Sequence, residues 1–125
     1  MGMRLTALPV LFALGLLCGA FGCVTLGDDL RRADRLYRDA RYEDAEAWTL
    51  ALASEQPRMT SVERLHFEYL RGMCAFRLGR RDDARHFLLV AQQLVQQHPE
   101  GLAPLDRSLL ERTLDAEIAG MTIRR

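Results

Sequence analysis

From Leu26 onward, apolar residues return at every third or fourth position, the spacing that gathers side chains onto one face of a helix. Leu26, Leu30, Ala33, Leu36, Tyr37 and Ala40 form a first stripe, and Ala45, Trp48 and Leu52, with Ala51 beside them, form a second. A third helix is expected from about Thr60 to Leu78, carrying Val62, Leu65, Tyr69, Met73 and Phe76 along one side. Ala84, Phe87, Leu88, Ala91, Leu94 and Val95 mark a fourth, and Leu105, Leu109, Leu110, Leu114 and Ile118 a fifth. No run alternates with the period of two that a strand requires. The expected fold class is all-α.

Punctuation agrees with these limits. Thr60 and Glu63 have the spacing of a capping box at the start of the third helix. Gly79 suits the left-handed residue that closes that helix. Asp82 and Asp83 open the fourth helix, and Glu43 and Asp44 the second, where the helix dipole favours negative charge. Pro57 and Pro99 follow the second and fourth helices because proline cannot continue one, and Pro104 suits the first turn of the fifth.

Two stretches read alike. "ARYEDAEAW" spans Ala40 to Trp48, and "GRRDDARHF" spans Gly79 to Phe87, thirty-nine positions later. Each runs small residue, Arg, any residue, two acids, Ala, two residues, aromatic. The phrase implies one structural moment used twice: a tight turn between paired helices, a small Ala where they approach, and an aromatic one turn on.

At this point the chain resembles the tetratricopeptide repeat family. That family's pattern combines small and aromatic residues in a first helix, Ala in a second helix and a closing Pro. The second copy matches at Gly72, Phe76, Leu78, Gly79, Ala84, Leu88 and Ala91; the first matches at Ala33, Leu36, Tyr37, Tyr42, Ala45 and Pro57. The second copy lacks the early Trp and places its Pro three residues late. The offset exceeds the family unit of about thirty-four residues, so an insertion is expected within "PRMTSVERL". The resemblance runs from Leu26 to Pro99. It implies a helical domain over residues 30–125, with repeat 1 at about 26–58, repeat 2 at about 60–99 and a capping helix at about 104–120. The charges Asp106, Arg107, Glu111, Arg112, Asp115 and Glu117 are expected on the solvated outer face of that cap. Two units are fewer than the roughly three such arrays need, which leaves an apolar end open.

The N-terminal segment changes the picture. After Arg4, no charge occurs until Asp28. The apolar run from Leu5 to Leu17, then Gly19, Ala20 and Gly22 before Cys23, resembles a bacterial lipoprotein signal peptide over residues 1–22, with Cys23 as the lipidated residue and 23–29 as a short tether. Gly22 and Cys23 fit that cleavage motif; Ala20 and Phe21 depart from it. Two other fates are open: an uncleaved anchor, since Leu5–Gly27 exceeds the ~20 residues a spanning helix needs, or cleavage after Ala20 or Gly22 with release. All three place the folded part outside the cytoplasm. Val24 after the Cys implies, by the same resemblance, sorting to the outer membrane of a Gram-negative cell. Cys18 would leave with the signal, and Cys74, inside an apolar pattern, is expected to be a buried thiol.

Charge is balanced at seventeen basic against seventeen acidic residues, so the excess a nucleic-acid binder carries is missing. His66, His86 and His98 have no partner at i, i+4, and no HExxH, paired-Cys or phosphate-loop spacing occurs. These observations point away from an enzyme and imply no metal and no cofactor. What remains is a binding surface. In the family, first helices line a concave groove, which carries over to Arg31, Arg35, Arg38, Arg64, Glu68, Arg71 and Arg77, beside the alternative that these are ordinary solvated charges. The functional expectation is a lipid-anchored scaffold or adaptor holding a protein partner of an envelope machine of secretion, pilus, motility or outer-membrane assembly type. The alternatives are a self-associating envelope lipoprotein without a client, a single-pass anchored repeat protein, or a soluble carrier.

Overall fold

A computed structural model describes Gly2 and residues 25–123, and within residues 25–123 every regular element is helical. The rest of the expected signal segment, together with Cys18, Cys23 and Val24, lies outside the described residues. The elements are α1 (Leu26–Arg38), α2 (Tyr42–Leu52), α3 (Ser61–Arg77), α4 (Arg81–Gln97) and α5 (Pro104–Ile123). Short 3₁₀ turns at Ala53–Arg58 and Pro99–Gly101 join α2 to α3 and α4 to α5. α1 packs on α2, α3 on α4, α2 on α3, and α5 on α4.

Helix starts follow side-chain chemistry. The Thr60 hydroxyl accepts from the Glu63 amide at 3.2 Å while the Glu63 carboxylate accepts from the Thr60 amide at 2.8 Å, completing the expected box. Thr25 and Asp28 build the same device on α1. Residues 26–29, assigned both to the end of the tether and to the start of repeat 1, are the first turn of α1. Pro57 follows α2, which ends at Leu52, and sits inside the Ala53–Arg58 turn. The connection between the hairpins is thus a 3₁₀ helix that runs into the first two residues of "PRMTSVERL".

The doubled phrase marks two turns with one hydrogen-bond pattern. The Ala40 amide donates to the Tyr37 carbonyl and the Arg41 amide to the Leu36 carbonyl; Gly79 donates to Phe76 and Arg80 to Ala75. These are Schellman closures, which require a left-handed residue just past the helix. Gly79 takes φ 79°, and Ala40 takes φ 58°. A left-handed residue with a Cβ costs about 1–2 kcal/mol, of which the greater freedom of unfolded glycine returns part. Ala40→Gly is therefore expected to stabilise the fold by about 0.5–1 kcal/mol, seen as a higher urea midpoint. An unchanged or lower midpoint would show that Ala40 is not strained.

Past each turn the aromatic of the phrase is stacked by an arginine from the preceding helix. The Arg32 guanidinium lies 4.6 Å from the Trp48 ring centre, and that of Arg71 lies 3.8 Å from Phe87. The small residues are fully enclosed: Ala33, Ala45 and Ala84 have no exposed surface. These contacts are cation–π pairs between the two helices of each hairpin.

α3 is the centre of the molecule. Leu65, Tyr69 and Met73 turn one face toward Leu88, Ala91 and Val95 of α4 and Leu110 and Leu114 of α5. Phe67 turns the other way, against Leu30 of α1 and Leu52 of α2. Cys74 is buried as expected, and burial pushes its thiol up to about 12.

α5 differs from its expected form. Its packed face is Asp106, Leu110, Thr113, Leu114 and Glu117, so two acids assigned to the solvated side are buried. Arg38 and Tyr69 hold Asp106, and the Arg81 guanidinium lies 3.8 Å from Glu117. Leu105 and Ile118, assigned to the packed stripe, are 62% and 46% exposed. The reason is that α5 docks one flank on α4, rotated so that its acids reach neighbouring basic groups, and among the described residues no further helix covers its apolar edge.

Candidate functional site

A cleft of about 400 Å³ opens between α1 and α3, closed at one end by the start of α5. Ligand sites commonly fall between about 300 and 1,000 Å³. Leu30, Leu70 and Leu102 supply its apolar floor, and Val62, 39% exposed, stands at its side. Arg31, Asp34, Glu63 and His66 add charged and polar edges.

Asp106 organises the closed end. The Arg38 Nη2 donates to it at 3.1 Å, and the Tyr69 hydroxyl donates at 3.4 Å, so one nearly buried carboxylate joins α1, α3 and α5. Arg38 also donates through Nε to Asp34 at 2.7 Å. Hydrogen bonding to Asp34, with the nearby Asp106 charge, holds the Arg38 guanidinium above its ordinary range. Burial, reinforced by the Asp106 charge, pushes the Tyr69 phenol well above its own. A Tyr so held donates its proton rather than losing it. His66 is 2.6 Å through Nε2 from the Gly101 carbonyl, which ties α3 to the α4–α5 connection.

The expected groove residues divide. Arg31 and Arg38 line the cleft. Arg35 is exposed on α1 away from it, and Arg64 is exposed with its Nε 3.9 Å from Glu68. Glu68 was expected to face outward and is instead 3% exposed, accepting from the Gln56 amide at 2.7 Å. Arg71 is not a groove residue either: its guanidinium is stacked on Phe87 and lies 5.1 Å from the Phe67 ring centre. Arg77 sits against the Tyr42 ring at 5.7 Å and beside the Tyr37 hydroxyl, which holds it above its ordinary range. These departures have separate causes. Gln56, from the α2–α3 connection, reaches over Glu68, whereas Arg71 is held against an aromatic ring of α4 and Arg77 against the tyrosines of α1 and α2.

Glu68 carries a consequence for pH. Burial raises its carboxyl above the ordinary 4.5, an effect that Arg71, Arg64 and His86 oppose, and one carboxylate oxygen is buried without a hydrogen-bond partner. With the folded value raised, the folded state holds the proton more tightly, so this residue's contribution to stability falls as pH climbs from about 4.5 through the folded value. Glu68→Gln keeps an acceptor for Gln56 and removes the charge. Denaturation midpoints at pH 4.5 and 7 are expected to show a smaller loss in the variant than in the parent. Equal losses would remove Glu68 from the account.

Sequence reasoning missed Tyr69, Glu63, Asp34 and Asp106 as cleft residues. Tyr69 read as a member of the apolar stripe, and Asp106 as a solvated charge. The one available signal was Pro104, which fixes the start of α5 two residues before Asp106. It gives no direction in space.

Among the described residues no group of three or more His, Cys, Asp or Glu is placed to hold a metal ion, and no helix is long and apolar enough to cross a membrane. The cleft offers shape, an apolar floor and edges of both charges. Comparison with protein-family models, with curated proteins and with solved structures gave no match.

Proposed function

We propose that the protein is a membrane-anchored helical scaffold, resembling tetratricopeptide repeat lipoproteins, that holds a protein partner of a bacterial envelope assembly in the α1–α3 cleft. The observation that carries this reading is the cleft itself: an apolar floor of Leu30, Leu70 and Leu102, bordered by Arg31, Asp34, Glu63 and His66, between the first helices of the two hairpins. Two Schellman turns with matching hydrogen bonds and matching arginine–aromatic stacks support the repeat reading. Support for the anchor comes from the uncharged N-terminal run and the Gly22–Cys23 pair, with α1 beginning three residues beyond that cysteine. Acyl chains on Cys23 would each contribute about 0.8 kcal/mol per buried methylene, enough in combination to hold the domain at a bilayer.

The test is site-specific photocrosslinking in intact cells. A photoreactive residue at Val62 or Arg31 is expected to capture the same protein, whereas one at Leu50, 58% exposed on α2 and away from the cleft, is not. Capture from none of the three, or equally from all, would overturn the cleft as the binding site. Intact mass of the membrane form tests the anchor separately: loss of residues 1–22 with added acyl mass is expected.

A further inference from the structure

The C-terminal half of α5 has no exposed charge. From Ala116 to Ile123 the only ionisable side chain is Glu117, and it is buried facing Arg81. Exposed around it are Ala116, Ile118, Ala119, Met121, Thr122 and Ile123, the last at 85% exposure. A soluble helix ordinarily keeps charges on the side away from the core. This one carries its surface charges only in the first three turns.

One strip of that surface has the spacing of a helix–helix seam. Leu105, Leu109, Arg112, Ala116, Ala119 and Ile123 follow one another at intervals of four, three, four, three and four. This is the a/d spacing with which two helices keep a continuous line of contact. The strip lies about a third of a turn around the helix from the packed face of Leu110, Thr113 and Glu117; only Leu109, at the edge nearer that face, also touches the core. Its large residues are at the ends and its small ones in the second half, so a flat helix cannot fill it and a helix of opposite gradient can.

We propose that α5 pairs antiparallel with α5 of a second copy along this strip. The sequence is self-complementary under that operation. With residue numbers across the pair summing to 228, Leu105 of one copy meets Ile123 of the other, the exposed edge of Leu109 meets Ala119, and Arg112 crosses over Ala116. Bulk faces bulk at the ends, and long side chains face alanine between them. Arg112 then reaches Asp115 of the second copy, and the twofold axis makes that contact twice. Among the described residues neither Arg112 nor Asp115 has an ion-pair partner: the Arg112 Nε donates only to the Ser108 carbonyl, at 3.3 Å. A parallel pair would instead set Arg112 beside Arg112. The cleft lies between α1 and α3 and is left open by this pairing, so the proposal does not rest on the cleft's role.

The experiment is sedimentation equilibrium of the full chain in a density-matched detergent at micromolar concentration. The parent is expected to sediment as two copies. Ala116→Glu, which puts a charge into the middle of the seam, is expected to give one copy with unchanged helical circular dichroism. Arg112→Glu and Asp115→Arg are each expected to weaken association at least tenfold, and the double variant Arg112→Glu/Asp115→Arg to restore it. One copy for the parent would overturn the proposal, as would two copies for Ala116→Glu, which would place the contact elsewhere. Failure of the double variant to recover would overturn the antiparallel register.

Discussion

Phe67→Ala is expected to cost about 3–5 kcal/mol of folding stability, the range for emptying a fully enclosed aromatic site. Phe67 has no exposed surface and fills the space between α3 and the Leu30–Leu52 contact of the first hairpin. The cost is set at the upper part of the range for two reasons. The neighbouring helices are fixed by other contacts, Asp106 holding α1 and Glu46 paired with Arg80 holding α2, so the site cannot collapse freely. The Arg71 guanidinium also loses the ring it lies against, leaving only Phe87. Urea denaturation is the measurement: the midpoint should fall with little change in slope if unfolding stays cooperative. A loss below about 1 kcal/mol, the size of an ordinary surface substitution, would mean that Phe67 does not join the hairpins. Because α1 and α3 form the cleft walls, Phe67→Ala should also weaken crosslinking from Val62, while Phe67→Leu, which refills most of the space, should largely preserve it.

Gly72→Ala is expected to lose about 2 kcal/mol, against the gain of about 1 kcal/mol that replacing a helical glycine by alanine usually brings. A Cβ at position 72 would stand 2.5 Å from Leu88 Cδ2, 2.6 Å from Leu88 Cγ and 3.1 Å from the Leu88 backbone nitrogen. The methyl ends of Leu88 can swing, but the backbone nitrogen cannot retreat without moving α4. Leu88 itself is fully buried against Leu65, Met73 and Leu110, so a rotated side chain has no empty space to enter. Overpacking of this kind costs about 1–3 kcal/mol and can exceed the propensity gain. The decisive measurement is a double-mutant cycle. Leu88→Ala alone should cost about 2–5 kcal/mol, and the double variant should lose clearly less than the sum, since each change relieves the other. Strict additivity would show that the two helices do not approach as closely as the geometry requires.

Much of the helical layout was legible along the chain. The Thr60–Glu63 box, the left-handed Gly79 and Pro104 at the first position of α5 all act within one turn of helix, where residue identity alone decides the conformation. The doubled phrase also announced its turns, but Ala40, assigned to the first helix's stripe, lies exposed past the end of α1 in the left-handed position that Gly79 fills in the other copy. Less visible was the Thr25 cap of α1, because it lies at the end of an uncharged run that was also assigned to a tether, although the apolar stripe was read from Leu26.

The cleft was legible only in fragments. Of the residues expected at a groove, Arg31 and Arg38 line the α1–α3 cleft, while Glu68 is buried and Arg71 is stacked on Phe87. Asp106 shows why. On α5 alone it belongs to an alternating series of acids and arginines that any solvated helix can carry. Its burial depends on where Arg38 and Tyr69 come to rest, and those residues are sixty-eight and thirty-seven positions away.

The amino-acid order by itself determined that the chain from Leu26 is helical, where most of its helices begin and end, and that two turns share one design, because caps, left-handed residues and three-to-four spacing act over a few bonds. The tertiary structure alone decided which charges are enclosed, that α1, α3 and α5 together frame a cleft, and that α5 keeps an apolar edge without a neighbour among the described residues. Those outcomes depend on the rotation at which one helix docks on another, and that rotation is fixed by side chains far apart in sequence filling a shared space.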